Sequence, residues 1–278
     1  MPQRLHGKTI MLVGGGSRGG ELTNGLACAL TYLSHGAKVM LVDIDAQALE
    51  DGHAAMLDAV SAEEVPGRIG RFRADATVES EIGAALEACT RQLGAPDVLH
   101  NNVGVARIGP IHEAPVSDWE RMISLNLTSA FLSTRAVLPV FRARGSGTIV
   151  NVASIAGMRY LGYDYPGYSA GKAGLIQLTV SIALEYGDRG IRANCISPGF
   201  IDTPMVRRQI VSAYPDSDAA LEARHRLSPT GRMGTPQDVA NAAVFLAGDE
   251  SGYINGVNLP VDGGITAGIA RPASRPPV

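Results

Sequence analysis

The stretch KTIMLVGGGSRGGELTNGLACALTYLSHGAKVMLVDID, residues 8–45, decides the fold. It opens and closes on apolar, β-branched runs, KTIMLV and AKVMLV, which read as strands bounded by Gly and Asp. Between them lie a glycine cluster, residues 13–25, and a segment of helix length. A glycine-rich turn between strand and helix lets backbone amides approach a pyrophosphate at the helix N-terminus, although such turns also serve as plain loops. Asp43 closes the second strand, where a carboxylate can accept both hydroxyls of an adenine ribose and repel a 2′-phosphate. The same residue could instead cap the helix that follows.

Outward from this unit the alternation continues. RIGRFRA, PDVLHN, GTIVNVA, IRANCIS and GVNLPV read as five further strands, and residues 45–60, 78–93, 117–143, 168–187 and 236–247 carry helical patterns. Seven strands alternating with helices predict an α/β fold: one doubly wound, mostly parallel sheet with right-handed crossovers and helices on both faces. No repeat or composition shift divides the chain, so residues 1–268 form one domain and the Pro-rich 269–278 a mobile tail. Ligands of such sheets sit off the carboxyl ends of the strands, and the chemistry is sought there.

Composition excludes several classes. A net charge of −3 gives no reason to expect nucleic acid or an anionic membrane as partner. The N-terminus lacks an apolar leader and no run approaches a membrane span. Cys28, Cys89 and Cys195 are odd in number, without metal-ligand spacing, and read as buried reduced thiols of a cytoplasmic protein.

At the strand ends, Asp75 follows the third strand as a cap or an adenine contact, and Asn101, Asn102 and Gly104 end the fourth in a tight turn that can pass under a cofactor. Of only three lysines, Lys172 lies four residues after Tyr168 in YSAGK, so both share one helix face. An ammonium beside a phenol favours the phenolate and lowers its pKa toward the range useful for proton transfer. Ser154, after the fifth strand, can donate to a reacting carbonyl oxygen, or serve as a turn serine. Asn126 is polar among apolar neighbours and, if buried, needs a specific partner.

Together these residues make the chain resemble the short-chain dehydrogenase/reductase superfamily, in the branch with Tyr-x-x-x-Lys. The resemblance covers residues 7–268 and rests on the glycine-rich turn, NNVG at 101–104, Asn126, Ser154, YSAGK at 168–172, SPGFIDTPM at 197–205, GRMGTPQDVANAAVFLAGD and VDGG. It implies a single Rossmann-like domain, usually tetrameric, using NAD or NADP on a small alcohol or ketone. It makes Tyr168 the general acid/base, Lys172 the holder of the nicotinamide ribose, Ser154 the group that orients the substrate oxygen, and Asn126 the holder of a relay water. It also sets Gly14, Ser17, Arg18 and Asn24 of the turn along the cofactor, with Asp43, Ile44, Asp75, Ala76, Asn102, Val103 and Gly104. Pro198, Gly199, Ile201 and Thr203 would border the nicotinamide.

The sequence departs from the family pattern in three places. Val13 replaces the usual Thr and Arg18 a Gly, and the loop runs about five residues long, so that the helix starts near Thr23-Asn24-Gly25. Ser154 and Tyr168 are one residue further apart than is common. Tyr165 stands seven before Lys172, as in the related enoyl-acyl-carrier-protein reductases. Enoyl-thioester reduction is therefore one alternative, and a nucleotide-binding regulator without turnover is another. For the cofactor, Asp43 favours NAD and Arg18 could favour NADP, with Asp43 the stronger influence. Residues 105–111, 155–165 and 203–230 are expected to line the substrate pocket, including Arg107, Met158, Arg159, Tyr160, Tyr163, Met205 and Arg208. Those arginines could read an anionic substrate or be solvated surface charges.

Overall fold

Alternate residues of the strands point to opposite faces, and in this chain both faces are apolar. In a computed structural model, which describes residues 3–60, 67–210 and 216–268 (side chains only to 208 in the second segment), the first strand, β1 (Thr9–Val13), is buried throughout. Ile10 and Leu12 join one apolar cluster, Met11 and Val13 another. Period-two alternation between two cores is why the sequence shows an unbroken apolar run.

The elements follow as α1 (Asn24–Ser34), β2 (Lys38–Asp43), α2 (Ala46–Asp58), β3 (Ile69–Arg73), α3 (Glu79–Leu93) and β4 (Val98–Asn101). Then come α4 (Val116–Ile123), α5 (Ser129–Arg144), β5 (Gly147–Val152), α6 (Pro166–Tyr186) and β6 (Ile191–Pro198), and lastly α7 (Ser217–Leu227), α8 (Pro236–Ala247) and β7 (Asn258–Val261). The sheet has seven strands in the order β3-β2-β1-β4-β5-β6-β7, and every pairing is parallel. The order reverses between β1 and β4, where Val13 is in register with both Val42 and Asn101. At such a switch point the crossovers leave in opposite directions and open a crevice beyond the strand ends. Buried side chains of α1, α2 and α8 fill one face, and those of α3, α5 and α6 the other.

All seven expected strands form. The helix expected over 117–143 is interrupted by a π turn at Ser124–Thr128. The cause is local: the Asn126 side chain donates to the Met122 carbonyl (2.9 Å), competing with the backbone ladder. Helix α1 starts at Asn24 with Thr23 as its cap, as the lengthened loop predicts. Helix α7 was not foreseen, and the Pro-rich tail at 269–278 lies outside the described residues.

Candidate active site

The crevice holds a cavity of about 370 Å³ that runs along the carboxyl ends of the strands from β3 to β6. Gly14, Asn24, Asp43, Ile44, Asp75, Ala76, Asn102, Val103 and Gly104 line it toward one end; Ser154, Tyr168, Lys172, Pro198, Gly199, Ile201 and Thr203 line it toward the other. Ser17, Arg18 and Asn126, also expected of the site, are not on its wall.

At the glycine end, backbone approach is close. Gly14 has φ +86°, and a Cβ there would lie 2.7 Å from the Val103 nitrogen. The Asn102 side chain donates to the Gly14 carbonyl (2.6 Å) and so ties the turn to the end of β4. The Asp43 carboxylate accepts the amides of Gly16 (2.8 Å) and Asp45 (3.0 Å). The cap of α2 is Asp45, which leaves Asp43 facing the cavity. Asp75 accepts from the amide and hydroxyl of Thr77 at the opening of the next helix, while also lining the cavity.

The extra loop residues fold away from the crevice. Ser17 is buried, its amide bound to the Ala48 carbonyl and its hydroxyl donating to Glu21. Arg18 is paired with Asp45 through Nε (2.6 Å), and Gly19 donates to Asp51 (2.8 Å). The amides of Gly14, Gly15, Gly16, Ser17, Gly19 and Gly20 are all engaged within the protein. The first turn of α1 remains for an anion, and among the described residues the buried Asn24 Oδ1 there has no partner, an acceptor suited to a hydroxyl. A positive-φ glycine that no side chain could replace, a helix N-terminus on the cavity wall and two carboxylates beyond it fit a dinucleotide.

At the other end, α6 begins at Pro166, which presents Tyr168 in its first turn and Lys172 one turn later. Lys172 is buried, and its ammonium donates to the carbonyls of Val103 (3.0 Å) and Val152 (2.8 Å). The glycines of the quoted motifs are clearances. A Cβ on Gly171 would lie 2.9 Å from that of Asn126, one on Gly157 2.7 Å from the Ala173 nitrogen, and one on Gly104 3.1 Å from the Lys172 Nζ. Asn126 accepts from the Val105 amide (3.2 Å) and donates to its carbonyl (2.9 Å), which fixes the strand-end loop against α4 and α5.

Charge at this end is set mainly by burial. Burial lowers the Lys172 ammonium to about 8. It pushes the Tyr168 phenol upward, and a hydrogen bond with Ser154 pulls it back. The sequence assigns that lowering to Lys172; here the ammonium is turned to two carbonyls, 5.9 Å from the phenol ring centre, and Ser154 is the group that acts. Tyr165 is buried behind Tyr168, off the cavity wall, and its phenol is pushed up by burial.

Thr203 caps the turn beyond β6 through the Val206 amide (3.3 Å). Val105, Leu125, Ala153, Met205 and Val206 supply apolar wall. Leu125 and Ala153 escaped sequence reading, although each adjoins a residue that was singled out. Arg107 is paired with Asp118 and Arg208 with Glu21, and Arg159 donates to the carbonyls of Ile265, Thr266 and Gly268, so these three arginines are surface charges with protein partners. Cys28, Cys89 and Cys195 are buried free thiols, each pushed up to about 12 chiefly by burial. Among the described residues, no group of His, Cys, Asp and Glu could hold a metal ion, and no helix is long and apolar enough to cross a membrane.

Comparison with known proteins agrees with this geometry. Residues 24–266 match the family described as Enoyl-(Acyl carrier protein) reductase. The chain is 35% identical over 269 residues to 2-(S)-hydroxypropyl-CoM dehydrogenase 3 of Xanthobacter autotrophicus, covering 96% of this chain and 100% of that one. It is 34% identical over 266 residues to levodione reductase of Leifsonia aquatica, covering 95% and 96%. The crystal structure of levodione reductase superposes with a TM-score of 0.88 at 33% identity, over 96% of this chain and 100% of that one.

Proposed function

The chain belongs to the short-chain dehydrogenase/reductase superfamily, whose members matched here are oxidoreductases acting on alcohols and ketones, and we propose that it is itself an NAD-dependent enzyme of this kind, moving a hydride between nicotinamide and the carbinol or carbonyl carbon of a small substrate. One observation carries the reading: Ser154, Tyr168 and Lys172 share one end of a cavity whose other end holds Asp43.

A nicotinamide held at the Tyr168 end would accept the hydride in oxidation and return it in reduction. Tyr168 takes the hydroxyl proton as the carbinol is oxidised and gives it back in the reverse direction. The single hydroxyl hydrogen of Ser154 serves the Tyr168 phenol before substrate binds, easing formation of the phenolate, and turns to the substrate oxygen once that oxygen is in place. Lys172, fixed by the Val103 and Val152 carbonyls with its ammonium 5.9 Å from the Tyr168 ring centre, would hold the nicotinamide ribose. Asn126 holds the loop at Val105 in place, with both hydrogens of its carboxamide spent on the Val105 and Met122 carbonyls.

Asp43 supports NAD, because its carboxylate faces the cavity while Arg18, the one basic group of the loop, is committed to Asp45. Tyr168 on the wall with Tyr165 behind it favours alcohol chemistry over enoyl reduction. The filled catalytic positions favour turnover over a purely regulatory role. A cytoplasmic homotetramer completes the reading. The test is a panel of secondary alcohols, diols, ketones and enoyl thioesters, followed by nicotinamide absorbance with each cofactor. Alcohol or ketone turnover with NAD(H) is expected; turnover of enoyl thioesters alone, or none at all, rejects it.

A further inference from the structure

Arg224, near the end of α7, is only 2% exposed. Its guanidinium carbon lies 4.8 Å from the centre of the Tyr163 ring and 5.2 Å from that of Phe200, in the corner where these rings meet edge to face. Both terminal nitrogens are buried, and neither has a hydrogen-bond partner among the described residues. Other arginines of this end are satisfied: Arg107 by Asp118, Arg207 by Asp202, Arg208 by Glu21 and Arg232 by Asp238.

A guanidinium keeps its charge, and its flat fork of donors matches a two-oxygen anion. Buried with its terminal nitrogens unmet, it is costly unless an anion completes it. Packing does not explain the charge. Ala220 and Leu221 already seat α7 on Phe200, Val206 and Met233, and His225 accepts the Met233 amide (2.9 Å). An apolar side chain would fill the corner without the cost of a buried cation.

Arg224, Tyr163, Tyr165 and Phe200 lie just behind the cavity wall, and ring contacts join the cation to it. Tyr163 stacks on Tyr165 with ring centres 6.0 Å apart, and Tyr165 meets Tyr168 edge-on at 5.5 Å. Phe200 lies between Gly199 and Ile201, both on the cavity wall. The Arg224 charge also reaches Tyr165, where it opposes the upward push of burial.

We propose that Arg224 is the specificity residue for a substrate oxyanion, a carboxylate or sulfonate carried by the molecule whose alcohol or ketone reacts at Tyr168 and Ser154. This rests on the oxidoreductase reading above and names the substrate class: small hydroxy- or oxo-acids, with the anion held at the far side of the aromatic row.

The test uses methyl ketones bearing one to four methylenes and a terminal carboxylate, the matching sulfonates, and the methyl esters as neutral partners. The unmodified protein is expected to favour the acids. In Arg224→Met the acid-to-ester ratio of kcat/KM should fall by roughly 10- to 100-fold, the span for a lost charge-assisted hydrogen-bonded pair, and mostly through KM. Arg224→Lys should retain part of the preference, and Arg224→Gln replaces the Met variant if the latter does not fold. Acids and esters falling together, or an unchanged ratio, would make Arg224 a structural anchor and overturn the proposal. Calorimetric titration with 4-oxopentanoate, with and without NAD, supplies an arm independent of turnover. If no ketone or alcohol reacts, the oxidoreductase reading fails and the titration alone decides: binding lost in Arg224→Met sustains the anion site, and equal binding in both proteins rejects it.

Discussion

Tyr165 and Tyr168 are one helical turn apart with their rings at 86°, yet only Tyr168 reaches the cavity, with Ser154 as its hydrogen-bond partner. Removing one phenol oxygen should therefore have unequal effects. Tyr168→Phe is expected to lower kcat by roughly 10²- to 10⁴-fold while cofactor binding, read by titration of protein fluorescence, persists. Tyr165→Phe should retain most turnover, and a dead Tyr165→Phe beside an active Tyr168→Phe would move the chemistry to enoyl reduction. Lys172 gives a pH signature in stability. Its folded pKa of about 8 lies below the ordinary 10.5, so the unfolded chain binds its proton more tightly. The cost of burying the charge is fully present below pH 8 and is relieved between pH 8 and 10.5, on the order of 3 kcal/mol in all. The stability of Lys172→Met relative to the unmodified chain should accordingly be most favourable at pH 7 and decline by pH 10, as read by urea unfolding at each pH. A difference independent of pH would mean that Lys172 is not desolvated as the structure has it.

At the scale of elements, the end of β2 decides the cofactor. The sheet fixes Asp43, whereas the lengthened glycine loop carries Arg18 away to Asp45 at the cap of α2. Asp43→Ala should narrow or reverse a preference for NAD, and Arg18→Ala should change it little, since an exposed ion pair is worth about 0–1 kcal/mol. The ratio of kcat/KM for the two cofactors measures this, and an NADP preference in the unmodified enzyme would refute it. The strands, the start of α1, and the residues from Gly14 to Thr203 on the cavity wall were legible because strand period and turn chemistry are local signals. Three features were not. The π turn at Asn126 depends on a side chain competing for the Met122 carbonyl, the direction of Arg18 on Asp45 two elements away, and the burial of Arg224 on two rings brought in from distant loops. Each is set by a partner that sequence spacing does not reveal.

At the scale of the whole molecule, α6 calls for a second cover. Its 21 residues carry two charged side chains, Lys172, which is buried in the site, and Glu185. Leu175, Ile182 and Ala183 face the core, while Ala173, Gln177, Ser181 and Leu184 are exposed along the opposite side, at spacings of four, four and three. A helix this poor in charge all round is ordinarily buried all round. Leu184 is 79% exposed, and Phe131 on the neighbouring α5 is 46% exposed. An uncharged row with Ala173 and Ser181 as its small members lets a second helix approach, and a two-fold axis would set this row against itself. Two such axes, one through α6 and α5 and a second elsewhere, would close the tetramer proposed above. Light scattering at micromolar concentration should give four times the 29.0 kDa chain mass, and a monomeric mass would reject the arrangement. Ser181→Arg separates a self-facing row from a surface that merely covers the sheet. Because each copy meets its own counterpart across the axis, one substitution places two like charges together, at a cost of roughly several kcal/mol per pair. The variant should fall to dimers or monomers while its thermal unfolding stays cooperative, whereas a tetramer unaffected by Ser181→Arg would place the interface on another face.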